Sequence, residues 1–194
     1  LKTANITSLR FAVAAGILSL SAFITYSWKT ITGDTHPNIS SWAVWSFLTI
    51  LNFTSYKKIT GHWATSILPT LNAMMTLVVL LIALKTGTWE HLTTLDHACL
   101  IIGMTAGTLW WIRNSAEAAQ GVLQVAIFVA FIPTFKNAYL FPDLESWIPW
   151  LLWTLCFVAQ FYSVKYSNPK NYIQYLYPVC GTVWHMIVFG LTLR

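Results

Sequence analysis

Seven apolar segments cover most of this chain, at 9–28, 40–56, 63–84, 95–113, 117–135, 146–164 and 171–193. Each comes close to the ~20 apolar residues that a helix needs to cross the hydrocarbon core of a bilayer. Inside lipid every backbone N–H and C=O must be paired within the protein, so an apolar stretch of that length folds as a helix. The connections are short and leave no room for a soluble domain. Soluble chains carry about 25% charged residues; here 9% are charged and 56% are hydrophobic. The expected fold is an all-α integral membrane protein with seven transmembrane helices.

The formal charge of +5 does not point to nucleic acid, because the basic residues are scattered at segment ends. In a membrane protein Lys and Arg mark the cytoplasmic loops. Lys2, Arg10, Lys57, Lys58, Arg113, Lys165 and Lys170 fall on the N-terminal side, against Lys29, Lys85, Lys136 and Arg194 on the other. That bias predicts a cytoplasmic N-terminus and an outward C-terminus, in a bacterial-type inner membrane or a plasma membrane. Phe11 to Phe23 has the look of a signal-peptide core, but the Tyr26-Ser27-Trp28-Lys29 that follows is a poor cleavage site, so it reads as the first membrane helix. Cys99, Cys156 and Cys180 lie inside predicted spans without CxxC or Cys–His spacing. They read as packing residues, and neither metal nor cofactor is expected.

One pattern occurs twice. Ser41-Trp42-Ala-Val-Trp45-Ser-Phe-Leu-Thr49 returns as Ser146-Trp147-Ile-Pro-Trp150-Leu-Leu-Trp-Thr154, each after a proline-containing loop, His36-Pro37-Asn38 and Phe141-Pro142-Asp143. Upstream, Phe23-Ile24-Thr25 stands where Phe131-Ile132-Pro133 stands in the second copy. Downstream, Leu68-Pro69-Thr-Leu-Asn72 pairs with Tyr177-Pro178-Val-Cys-Gly181. The chain divides into a three-helix unit at 1–86, a single linking helix at 87–115 and a second three-helix unit at 116–194. An even number of crossings precedes the second unit, so both enter the membrane from the same side as parallel repeats.

At these residues the chain resembles the SWEET and SemiSWEET sugar transporters of the PQ-loop superfamily. The second half carries the better match: Phe131-Ile-Pro133-Thr-Phe-Lys136-Asn-Ala-Tyr139, then Pro142-Asp-Leu-Glu-Ser146-Trp147-Ile-Pro149-Trp150. The 3+1+3 layout is also that of PnuC-type vitamin transporters, and bacterial membrane proteins with a Pro-Asn-x-x-Thr/Ser-Trp-x-x-Trp segment are similar. The resemblance implies alternating access, with proline hinges falling on Pro69, Pro133, Pro149 and Pro178; no Asp or Glu lies mid-span to relay a proton, so facilitated diffusion is expected over proton symport. It is incomplete. Thr134 follows Pro133 in place of the family glutamine, Thr25 replaces the first-half proline, and the predicted orientation is opposite to the usual SWEET one.

Helical spacing gathers the polar and aromatic residues into stripes. Trp42, Trp45, Thr49, Asn52 and Tyr56 share one face of the second helix; Trp147, Trp150, Thr154, Phe157 and Phe161 share the equivalent face of the sixth. The third helix aligns Thr65, Pro69, Asn72 and Thr76, and the seventh Gln174, Pro178, Gly181 and His185. An unpaired amide in hydrocarbon costs several kcal/mol, so Asn52, Asn72 and Gln160 are expected to face inward. The candidate substrate-binding set is Trp45, Thr49, Asn52, Asn72, Trp150, Thr154, Gly181 and His185, with indole faces stacking on a ring and amides and hydroxyls bonding its polar groups. The competing reading makes Trp42 and Trp147 interfacial anchors and uses Asn and Thr only to bond helix to helix.

Catalysis is not expected: carboxylate pairs, HExxH, GxSxG and phosphate loops are all missing from the sequence. His185 is the one histidine deep in a span, with no facing partner for haem, and 171–193 lacks the lysine that retinal would need. The expected partners are membrane lipid and a small polar solute, sugar-like or heteroaromatic, with a homo-oligomer or a larger membrane complex as further company. Three functional readings stand open: a SWEET-like transporter, a PnuC-like vitamin transporter, and a non-transporting structural subunit.

Overall fold

The computed structural model describes residues 5–35, 37, 39–86 and 91–194. Readings that fall on Lys2, His36, Asn38, Gly87 and Glu90 lie outside those residues. Seven α-helices follow one another: α1 (Ile6–Thr32), α2 (Ile39–Thr60), α3 (Ile67–Thr86), α4 (Thr94–Arg113), α5 (Ala116–Leu140), α6 (Trp147–Tyr166) and α7 (Ile173–Leu191). Short 3-10 turns precede α3 and α6, and there is no strand among the described residues. Five of the helices, α1, α3, α4, α5 and α6, are long and apolar enough to cross a membrane. The two that fall short are α2, which holds Asn52, Lys57 and Lys58, and α7, which holds Gln174 and His185.

The helix ends follow from local chemistry. Asn5 caps α1 by accepting the Thr7 N–H at 2.9 Å, and α1 ends where Gly33 turns left-handed at φ 82°, a conformation glycine adopts without a Cβ penalty. Thr93 and Asp96 form a reciprocal capping box on α4, each taking the other's backbone N–H at 3.2 and 2.8 Å. Asn114, also left-handed, makes the tight turn into α5. The apolar run from 117 continues as helix through Pro133 to Leu140, five residues past its predicted end.

The interior mixes amides and hydroxyls into an apolar core, while large apolar side chains face outward. Ser19, Asn52, Asn72, Gln120, Gln160 and Gln174 are buried, while Ile17, Leu81, Ile101 and Met104 are exposed. Inside, each helix finds two or more neighbours. α3 packs against α1 and α2, and α7 against α5 and α6; α1 runs along α6, and α2 along α5. α4 lies against α5 and α2 and is the least buried of the five long apolar helices. It comes close to α2 at Gly103, where an added Cβ would stand 2.9 Å from both Phe47 and Leu48.

Candidate functional site

Between α1, α2 and α3 on one side and α5, α6 and α7 on the other lies a cavity of about 190 Å³. A buried water takes up about 30 Å³ of liquid, and pockets for drug-sized ligands run from about 300 Å³ upward, so this space suits a small solute. Its mouth is at Pro37, Ser41, Asn137 and Glu145, on the loops and helix ends where α1 meets α2 and α5 meets α6.

Seven of the eight candidates from the sequence line this cavity: Trp45, Thr49, Asn52, Asn72, Trp150, Gly181 and His185. Thr154 does not. Its hydroxyl donates to the Trp150 carbonyl one turn back at 2.8 Å, and the wall is completed instead by Trp153 and Phe157. Trp42, read as an anchor, also lines the cavity and lies 5.1 Å from the Tyr26 ring. Trp147 is 45% exposed and packs on Phe189 at the outside of the bundle. Of the candidate hinges, Pro133 and Pro178 sit inside α5 and α7. Pro149 lies in the first turn of α6, where a missing N–H breaks no helical bond. Pro69 is the third residue of α3, directly after a 3-10 turn.

Part of the polar lining is already bonded. Asn52 Oδ1 accepts from the amides of Gln120 and Gln124 at 2.9 and 3.1 Å, and Gln120 accepts from Ser55 at 2.8 Å, tying α2 to α5. Asn72 accepts from Ser19 at 2.8 Å and donates to the Tyr177 hydroxyl at 3.0 Å, tying α3 to α1 and α7. The Thr49 and Thr76 hydroxyls meet at 2.8 Å. His185 Nδ1 lies 2.7 Å from the Gly181 carbonyl. A carbonyl only accepts, so Nδ1 carries the proton, and in the neutral form of the ring Nε2 is left as an acceptor.

Aromatic rings make up most of the remaining wall. Trp45 meets Phe131 edge-on at 4.7 Å, and Phe131 meets His185 at 5.1 Å. Trp150 and Trp153 are 5.1 Å apart, with Phe23 against Trp153 at 5.1 Å. Such edge-to-face pairs fix ring orientation as well as burying area. Phe157 can stand where it does because residue 181 is glycine: a Cβ there would run into the Phe157 ring. At the mouth, the Trp150 indole N–H donates to Glu145 at 3.2 Å, and burial pushes the Glu145 carboxyl above its ordinary range.

A second cavity of about 220 Å³ lies at the opposite end of the bundle, among Asn5, Ser8, Thr60, His62, Lys170 and Gln174. Between the two cavities Tyr56 and Tyr177 pack at 5.0 Å, and the Tyr56 hydroxyl donates to the Gln174 carbonyl at 2.8 Å.

Trp153, Phe157, Tyr177 and Glu145 were not among the candidates. Phe157 was on a stripe already drawn, and Trp153 is one step from it; Glu145 gave no signal, since a loop carboxylate is ordinarily solvated. Comparison of the chain with family models, with curated proteins and with solved structures finds no match.

Proposed function

We propose that the chain is an integral membrane transporter that passes a small polar solute between two three-helix halves, 1–86 and 116–194, joined by α4. The observation that carries this reading is the cavity enclosed by helices of both proposed halves and lined by Trp45, Trp150 and Asn72. Repeat transporters bind substrate near the midplane at the interface between repeats. The packing supports a parallel duplication: the third helix of each half touches the first and the second, and α1 on α6 mirrors α5 on α2. A cavity toward each end, with Tyr56, Tyr177 and Gln174 between them, supports alternating access. With the N-terminus cytoplasmic, the mouth at Glu145 faces outward. The solute is sugar-like on the SWEET resemblance and heteroaromatic on the PnuC one, and facilitated diffusion is the simpler mode.

The test is uptake of labelled glucose and of labelled nicotinamide riboside into proteoliposomes, with and without Asn72→Ala. Uptake of either, reduced by the substitution, supports the reading. No uptake of either, with folded protein in the membrane, counts against both named substrates.

A second reading has its own observation. Asn52, Asn72 and Thr49 are all bonded to neighbouring helices, as in a packing scaffold within a larger membrane complex. The open volume beside them favours transport.

A further inference from the structure

We propose that the central cavity takes an organic cation, a small amine or quaternary ammonium, with Glu145 as its counter-ion and the surrounding rings as its cage. The inference rests on the reading of this cavity as a solute site and names the class of solute.

Three features of the wall carry it. Nine Phe, Tyr and Trp side chains line the cavity among the described residues. Aromatic faces carry negative quadrupole charge, and a cation enclosed by several of them is held without a formal bond. Among the described residues that line the cavity none is Lys or Arg, and Glu145 is the single carboxylate. A solute bearing a carboxylate or phosphate would therefore enter without a partner and meet a like charge at the mouth, which is a strong bias against anions.

Glu145 is also fixed in place. Its Oε2 takes the indole N–H of Trp150, whose ring is itself part of the wall and packs on Trp153. Charge and cage are thus joined through one residue. Deeper in, the acceptor Nε2 of His185 and the hydroxyls of Thr49 and Thr76 leave hydrogen-bonding capacity for a hydroxyl or amine on the same molecule. A neutral sugar would find part of the amide capacity already used, because Asn52 Oδ1 takes the Gln124 amide N–H and Asn72 is bonded to Ser19 and Tyr177.

The test compares choline with its neutral isostere 3,3-dimethyl-1-butanol on the detergent-solubilised full chain, read by tryptophan fluorescence. The wall tryptophans make the cavity its own reporter. Choline is expected to saturate with a Kd at least about tenfold below that of the neutral isostere. In Glu145→Gln that preference should fall to about twofold or less. Equal affinities for the two isosteres on the unaltered protein, a measurement that needs no variant to fold, overturn the inference. So does full retention of the choline preference in Glu145→Gln. Glucose uptake without choline binding overturns the inference and leaves the transport reading intact. Loss of both choline binding and solute uptake in correctly folded protein sinks both.

Discussion

The side-chain amide of Gln160 on α6 donates to the backbone carbonyl of Thr65 at 2.7 Å. That carbonyl stands four residues before Pro69, so the helical donor that would take it is the one proline lacks. The same arrangement occurs on the other side of the bundle. Gln174 stands four residues before Pro178, and its carbonyl takes the Tyr56 hydroxyl of α2 at 2.8 Å. In both places a proline opens one backbone acceptor in α3 or α7, and a buried side chain from α6 or α2, the second helix of the opposite proposed half, closes it. The two proposed halves are therefore bonded to each other at the carbonyls that precede the prolines of α3 and α7.

Removing the donor at one of these points should cost more than removing an ordinary hydrogen bond. Gln160 is fully buried, and Gln160→Leu leaves the Thr65 carbonyl unpaired, at about 1–3 kcal/mol. Pro69→Ala supplies the missing N–H, so Gln160→Leu should cost clearly less on that background. Thermal midpoints of the four proteins in detergent give the cycle. Additive losses would mean that the amide and the proline are energetically independent.

How much of this was legible in the sequence depends on which interaction spoke. The seven helices were readable because a bilayer-length apolar run has one stable fold, and the runs alone placed their ends within about five residues; the caps Gly33, Thr93 and Ser115 are local signals that would have sharpened them. The inward amides Asn52, Asn72 and Gln160 were readable from desolvation cost alone. Thr154 misled for the opposite reason: a helical threonine satisfies its own hydroxyl on the preceding turn, as it does on the Trp150 carbonyl, and so need not face anything polar. Trp42 stood on the stripe of Trp45 and Thr49 but, at the start of α2, read as an anchor, and Glu145 was hidden because a residue between helices has no period to read. The Gln160–Thr65 pairing, 95 residues apart in the chain, left no local trace at all.

Gly181→Ala should block the site while sparing the bundle. Its Cβ meets the Phe157 ring, and Phe157 on the cavity wall also stands 4.9 Å from His185 and 5.2 Å from Tyr177, so the ring has little room to move except into the cavity. Overpacking of this kind costs about 1–3 kcal/mol. Solute binding should weaken at least about tenfold. Adding Phe157→Leu returns the space, and recovery of binding in the double variant is the decisive measurement. A double variant as impaired as Gly181→Ala would place the defect in the helix backbone instead.

Asn72→Ala separates the transport and scaffold readings. It unpairs the Ser19 hydroxyl and the Tyr177 hydroxyl, so some stability is lost on either reading, by about 1–3 kcal/mol. The transport reading requires a further loss, an uptake per folded protein lowered about tenfold or more. Tyr177→Phe removes one of the same bonds while leaving Asn72 in the wall, and should lower uptake less. Equal effects of the two variants on uptake, matched by equal effects on stability, would favour a packing role.

Cation binding should carry a pH dependence set by Glu145. This carboxyl lies in the turn before α6; burial raises it, and the Trp150 indole bond pulls it part of the way back. Above its folded value it is ionised and choline affinity is full. As pH falls through that value the proton removes the counter-ion and affinity drops, with a midpoint above the ~4.3 of an unperturbed glutamate. Trp150→Phe deletes the opposing bond, so the midpoint should move further up, whatever it does to affinity itself. Tyr26, Tyr177 and His185 are the other titratable side chains on the wall, and His185→Gln should leave the midpoint in place. Stability runs the other way. The fold holds this proton more tightly than the unfolded chain does, so the protein gains stability as pH falls from the raised value toward ~4.3, and Glu145→Gln should abolish that gain. Choline titrations and melting temperatures between about pH 8 and pH 4 read both trends. A midpoint that follows His185→Gln and ignores Trp150→Phe would assign the titration to the histidine and remove Glu145 from the site.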